Sequence, residues 1–169
     1  EVARAAALRV RSEELDLPRV ESPSTMGDPD AAPPFELDVQ FTREGAGVGF
    51  WSAMDVRLER GSWMESGPAA VWFRLRVPIV GGEEISPLQR VAAAADFGNG
   101  ISASLERGKY LFINPDLTVY LHRYPAGEWV GLDATTASEP VGVGLAAALL
   151  HDEQGVIGRS LQALLVDRL

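Results

Sequence analysis

Apolar residues recur at helical spacing in one place only, residues 86–100, which read SPLQRVAAAADFGNG. Ser86 suits the first free amides of a helix, Pro87 suits the first helical position, and Gly98 offers a left-handed stop. The spacing predicts one helix of about three turns. At 100° per residue, Leu88, Val91, Ala92 and Ala95 share a side, and residues 92–95 carry nothing beyond a methyl. Such a helix can press its backbone close to a sheet. Asp96 follows on the flank of this stripe, where burial and the helix dipole both disfavour a negative charge.

Elsewhere the chain alternates with the period of strands. Residues 1–11 read as a strand whose neighbours are missing, although its alanines would also permit a helix. Residues 12–34 hold Pro18, Pro23, Pro29, Pro33 and Pro34 among acids and serines, the composition of an extended linker. Residues 35–41 allow a short strand or surface packing. Gly45, Gly47 and Gly49 lack the Lys-Ser/Thr and the strand-to-helix context of a phosphate loop, and are read as a turn. Residues 54–60 and 69–77 form a hairpin pattern, and strands at 110–123, 128–136, 143–151 and 156–168 follow the helix. Their short connections dictate an antiparallel meander. The expected class is α+β, with six antiparallel strands wrapped around one central helix.

Composition narrows the function classes. The net charge of −9 argues against nucleic acid as a partner, since phosphate contacts need clustered cations and Lys109 is the sole lysine. No apolar run reaches the roughly 20 residues that span a bilayer, and no charged leader opens the chain, so no membrane partner and a cytoplasmic location are expected. Without cysteine there is no disulfide and no thiol nucleophile. Two histidines, His122 and His151, make a poor donor set for zinc, and neither a metal nor a cofactor is expected.

Particular residues then carry a resemblance. Asp96 stands in the helix, Leu121-His122-Arg123 close one strand, Glu128-Trp129 open the next, and Gln162 lies in SLQALLV of the closing hairpin. In this order they resemble the C-terminal half of double-hotdog acyl-CoA thioesterases of the bacterial thioesterase II type, over roughly residue 51 to the end. The resemblance implies a hotdog fold. It divides the chain into the last strand of a preceding hotdog repeat (1–20), a linker (21–50) and a C-terminal hotdog domain (51–169). It further implies hydrolysis of acyl-CoA by water activated by Asp96, with Gln162 and a hydroxyl residue holding that water. Aligned on Asp116 and His122-Arg123, the hydroxyl position holds Asn114, and Thr118 four residues later is the alternative. Such sites lie between two hotdogs, which implies a homo-oligomer or pairing with an N-terminal repeat.

Other readings stand beside this one. Asn114 in place of a hydroxyl permits a non-catalytic acyl-CoA or lipid-binding hotdog, and a sheet used only as an interface gives a partner-binding module. A hydratase would need a histidine or second acid beside Asp96, and strand alternation offers no convincing pair. That alternation sends His122 and Arg123 to opposite faces, with Arg123 at the surface or in an interface pair. Trp51, Trp63, Trp72 and Trp129 are expected to be packing anchors.

Overall fold

Strand alternation sorts the apolar residues to one side of a curled sheet. A computed structural model of the chain describes residues 3–10, 16, 18, 20, 22–35 and 49–169. Its strands are β1 (Met54–Arg60), β2 (Ala69–Leu75), β3 (Tyr110–Ile113), β4 (Thr118–Leu121), β5 (Trp129–Glu139), β6 (Val143–Asp152) and β7 (Gly155–Arg168). Every pairing is antiparallel, in the order β1-β2-β5-β6-β7-β3, with β4 also on β7. Val71, Phe73 and Leu75 of β2, Val130 and Leu132 of β5, and Leu150 of β6 face inward onto the helical segment. Phe73, Leu132, Leu150 and Ile101 are at most 1% exposed, and burying each contributes about 1.5–3 kcal/mol.

The helical segment is α1 (Pro87–Ala95) followed by the single turn α2 (Gly98–Ile101). The Ser86 hydroxyl accepts from Gln89 N–H while the Gln89 side chain accepts from Ser86 N–H, a complete capping box. Two expectations change here. Gly98 does not take a left-handed stop; it opens α2. The buried side of α1 is Val91, Ala93, Ala94 and Ala95, while Leu88 and Ala92 are exposed. A run of four identical methyls carries no contrast between faces, so the sequence fixes the helix and not its rotation about its axis.

The strand expected at 110–123 is two strands laid end to end along β7. Ile113 stands opposite Leu165 and Thr118 opposite Leu161, so residues 114–117 face residues 162–164, four against three. This is a β-bulge, and Pro115 within it has no N–H to give to the ladder. The Asp116 carboxylate instead accepts from Ala163 N–H at 2.8 Å.

Residues 22–34, expected as a linker, form an extended strap packed across the outer face of the sheet. Met26 and Ala32 are buried against Ala70, Trp72 and Trp129, which alternation has turned outward. At Gly131 a Cβ would lie 2.8 Å from both Met26 Sδ and a Trp72 ring carbon, so only glycine lets these side chains seat. Trp63, Trp72 and Trp129 are buried, as expected of anchors; the side chain of Trp51 lies outside the described residues. So do residues 36–48, including Gly45 and Gly47. Phe35 is described, and its ring stacks on Trp63 at 5.5 Å. Residues 3–10, expected as a strand, lie exposed and carry no strand pairing among the described residues.

The strap is held at His151, which is fully buried. Its Nδ1 lies 3.2 Å from Leu149 O and its Nε2 accepts from Thr25 N–H at 3.3 Å. That pattern suits the neutral ring with its proton on Nδ1. Burial pushes the His151 pKa below its ordinary 6.5, against the raising effects of Leu149 O and of Asp133, Glu59 and Asp152. The unfolded chain therefore takes up a proton here before the folded one does. Folding stability should be fully present above about pH 6.5 and decline as pH falls through and below that value. Urea unfolding between pH 7.5 and 5.5 should show this slope flattened in His151→Gln; an equal slope in both proteins would exclude His151 as its source.

Candidate active site

Asp96 is the first residue beyond α1, and its neighbour locks it in place. The Phe97 ring stacks on Phe73 of β2 with centroids 4.6 Å apart and planes 5° from parallel. Behind Asp96 stands Gln162 of β7, on the inward face with Ser160 and Leu164 as alternation requires, and 1% exposed. The Gln162 amide is committed at both ends. Its Oε1 accepts from Asn99 N–H at 2.9 Å, while its Nε2 donates to Asp96 O at 3.1 Å and to Asp96 Oδ1 at 3.2 Å. Gly98 permits this approach, since a Cβ there would lie 3.0 Å from Gln162 Oε1. Close passage of a side chain, rather than a left-handed turn, is what favours glycine at this position.

Asn114 completes the group. It sits in the bulge, and its Nδ2 donates to Asp96 Oδ1 at 2.8 Å. One carboxylate oxygen thus accepts from two side-chain amides, and among the described residues nothing donates to the other. Asp96 itself is exposed rather than buried as expected, because the described chain covers only one side of it. The structure brings Asp96, Asn114 and Gln162 together and leaves Thr118 out. Residues directly opposite each other on paired strands share a face. Thr118 is opposite Leu161, whose side chain points outward, whereas Gln162 points inward. The one-residue bulge reverses the parity of the strand between 114 and 118.

Two further stretches singled out in the sequence, His122-Arg123 and Glu128-Trp129, do structural work. Arg123 is not a surface group: it forms a bidentate pair with the fully buried Asp152, the Nη2 to Oδ1 bond being 2.7 Å. Asp152 also accepts from Ala126 N–H and Gln154 N–H. Burial pushes the Asp152 carboxyl up, but these donors outweigh it and hold the group below the ordinary carboxylate range. Glu153 Oε1 accepts from Glu128 N–H and Trp129 N–H. The His-Arg and Glu-Trp stretches therefore tie the β4–β5 connection to the β6–β7 turn. Two clefts of about 790 and 540 Å³ border the strap on the outer face. None of Asp96, Asn114 and Gln162 lines either cleft. The larger, which presents Asp28, Asp30, Glu128 and Glu153, is poorly suited to an anionic ligand. Sequence reasoning missed Gly98 as a spacer, the strap and His151; the apolar Ala70 and Trp72 at the outward positions of an alternating strand were the available signal for the strap.

Arg123→Ala leaves Asp152 buried without its cation and should cost about 3–5 kcal/mol of stability, measurable by denaturant unfolding. A loss below about 1 kcal/mol would place the pair among ordinary surface bridges.

Comparison with known proteins bears on the family and the fold. The family model for the acyl-CoA thioesterase C-terminal domain matches residues 21–166. Among solved structures, a hot dog fold protein of unknown function from Alicyclobacillus acidocaldarius is similar at 17% identity, with TM-score 0.66 over 93% of this chain and 58% of that one. An acyl-CoA thioesterase II from Mycobacterium marinum is similar at 18% identity, with TM-score 0.59 over 93% and 60%. A hypothetical thioesterase protein from Streptococcus pneumoniae, determined with coenzyme A, is similar at 9% identity, with TM-score 0.52 over 70% and 91%. No curated protein matches in sequence. The chain thus spans about three-fifths of the length of the first two structures. The curled antiparallel sheet around α1 is the hotdog fold, and the chain belongs to the acyl-CoA thioesterase C-terminal domain family.

Proposed function

We propose that this chain is the catalytic C-terminal half of an acyl-CoA thioesterase, in which Asp96 activates water for attack on the thioester. The observation that carries this reading is the carboxylate of Asp96, gripped at Oδ1 by Asn114 and Gln162 and open at Oδ2. Two neutral donors on one oxygen fix the orientation of the group without adding a competing base. Family membership supports the reaction class, and the Streptococcus pneumoniae protein with coenzyme A supports the thiol portion of the substrate.

In this mechanism a water on Oδ2 attacks the thioester carbonyl carbon while Asp96 takes its proton. The tetrahedral intermediate collapses with cleavage of the C–S bond, the acid is released, and the proton held by Asp96 goes to the departing thiolate. Gln162 acts as a positioning residue, since its amide is spent on Asp96 and Asn99. Asn114 substitutes for a hydroxyl as donor to Asp96, and its side-chain oxygen is left to accept from the attacking water. Thr118 has no part in the chemistry. A second hotdog, from an N-terminal repeat or another copy, closes the exposed side of Asp96 and completes the acyl tunnel. Location in the cytoplasm suits the intracellular occurrence of CoA thioesters.

Release of free thiol from acyl-CoA of graded chain length tests this. Asp96→Asn should lower kcat by about 10²–10⁴-fold with unchanged melting temperature. Asn114→Ser should retain activity to within about tenfold, because a hydroxyl can still donate to Oδ1, and Thr118→Ala should match the parent. Equal hydrolysis by Asp96→Ala would remove the assigned site. Tight acyl-CoA binding without turnover in the parent would favour the non-catalytic binder.

A further inference from the structure

Between residues 22 and 32, every described bond from the backbone of the strap to the sheet ends on a side chain. Thr25 N–H donates to His151 Nε2 at 3.3 Å and Gly27 N–H to Glu59 Oε1 at 2.9 Å. Arg60 donates to Thr25 O at 3.4 Å and Arg57 to Pro29 O at 2.9 Å. Backbone pairing with the sheet begins only beyond them, where Leu58 N–H donates to Pro33 O and Phe35 N–H to Val56 O. The strap is thus hinged on β1 at residues 33–35 and latched by side chains ahead of the hinge. Among these described contacts, the one to His151 is the one whose group ordinarily changes charge between pH 5 and 8.

We propose that residues 22–28 form a latch that protonation of His151 opens while the sheet stays folded. The neutral ring offers Nε2 as an acceptor to Thr25 N–H, whereas the protonated ring carries N–H on both nitrogens, so two donors face each other across 3.3 Å. The Thr25 hydroxyl, 3.4 Å from the same nitrogen, can accept the new proton, but the Thr25 amide is left without a partner. Charges facing the ring are committed elsewhere. Asp133 of β5 is paired with Arg60, Asp152 of β6 with Arg123, and Glu59 of β1 accepts from Gly27 N–H and Trp72 Nε1. Arg159 of β7 stands opposite Leu149, and on the strap Asp28 accepts from Asp30 N–H while Asp30 is paired with Arg57. His122 lines the smaller cleft beside Ser22 and Ser24. A charged ring at a fully buried position is costly, and lifting the strap lets water reach it. Opening therefore takes up a proton, and below the ordinary histidine value of 6.5 the open fraction grows by up to about tenfold per pH unit. The lifted segment draws Met26 off Trp72 and Trp129 and opens the two clefts into each other at Ser24, which borders both. None of these residues belongs to the Asp96 group, and the proposal stands whether or not the chain is a thioesterase.

Hydrogen exchange of the full chain from pH 7.5 to 5.5, read as protection relative to unstructured peptide, tests the latch above the range in which ordinary carboxylates protonate. Protection of the Thr25 and Gly27 amides should fall by up to about tenfold per pH unit below 6.5, while amides of β5 and β6 keep theirs. His151→Gln, whose amide oxygen still accepts, should hold the protection of the strap constant over this range, and His122→Gln should match the parent. The proposal would be overturned by protection independent of pH in the parent, by an equal fall in His151→Gln, by a fall that His122→Gln abolishes, or by strap and sheet losing protection together. Should His151→Gln not fold, the ring nitrogens of the parent decide by NMR. The ring should stay neutral, with its proton on Nδ1, for as long as the strap is protected; a charged ring beneath a protected strap would overturn the proposal.

Discussion

The grip of Gln162 on the turn that follows α1 is the constraint on which the site depends. One buried amide joins the closing strand of the sheet to three points of the helical segment: Asn99 N–H, the Asp96 carbonyl and the Asp96 carboxylate. Such an amide is costly to bury unless every part of it is paired, and here the pairing is complete. Removing one partner would leave the others unsatisfied at a cost of about 1–3 kcal/mol each. The same bonds that hold the helix to the sheet therefore aim the acid.

Packing around this grip acts in the same direction. Phe97, adjacent to Asp96, is wedged against Phe73 and against the edge of Trp63, so the chain cannot swing about the carboxylate. At Gly98 a Cβ would press on Gln162 Oε1 at 3.0 Å. Asn114 follows β3 on the inward side, where it reaches Asp96, and the bulge after it turns Thr118 outward. The Arg123–Asp152 pair ties the β4–β5 connection to the β6–β7 turn, and the strap packs on Ala70, Trp72 and Trp129; neither touches the Asp96 group.

Much of this was legible from residue order alone. The helix start, with Ser86, Pro87 and Gln89, follows local rules, and strand alternation placed Gln162 beside Ser160 and Leu164 on the inward face. The Asp96 group was legible only through its resemblance to a family, because its members are separated by 18 and 66 residues along the chain. What sequence could not give was parity and rotation. A single extra residue at 114–117 exchanged the faces of everything after it and took Thr118 out of the site. Four alanines left the buried side of α1 undetermined. The strap was obscured by its prolines, which mark extended chain but not what it lies against.

Single-turnover hydrolysis of an acyl-CoA in ¹⁸O-labelled water, read by mass spectrometry of the released acid, tests the central claim most directly. If Asp96, held by Asn114 and Gln162, activates water, the acid from the first turnover carries one labelled oxygen. An unlabelled first-turnover acid would mean that the carboxylate attacked the thioester itself, and that result would contradict the account.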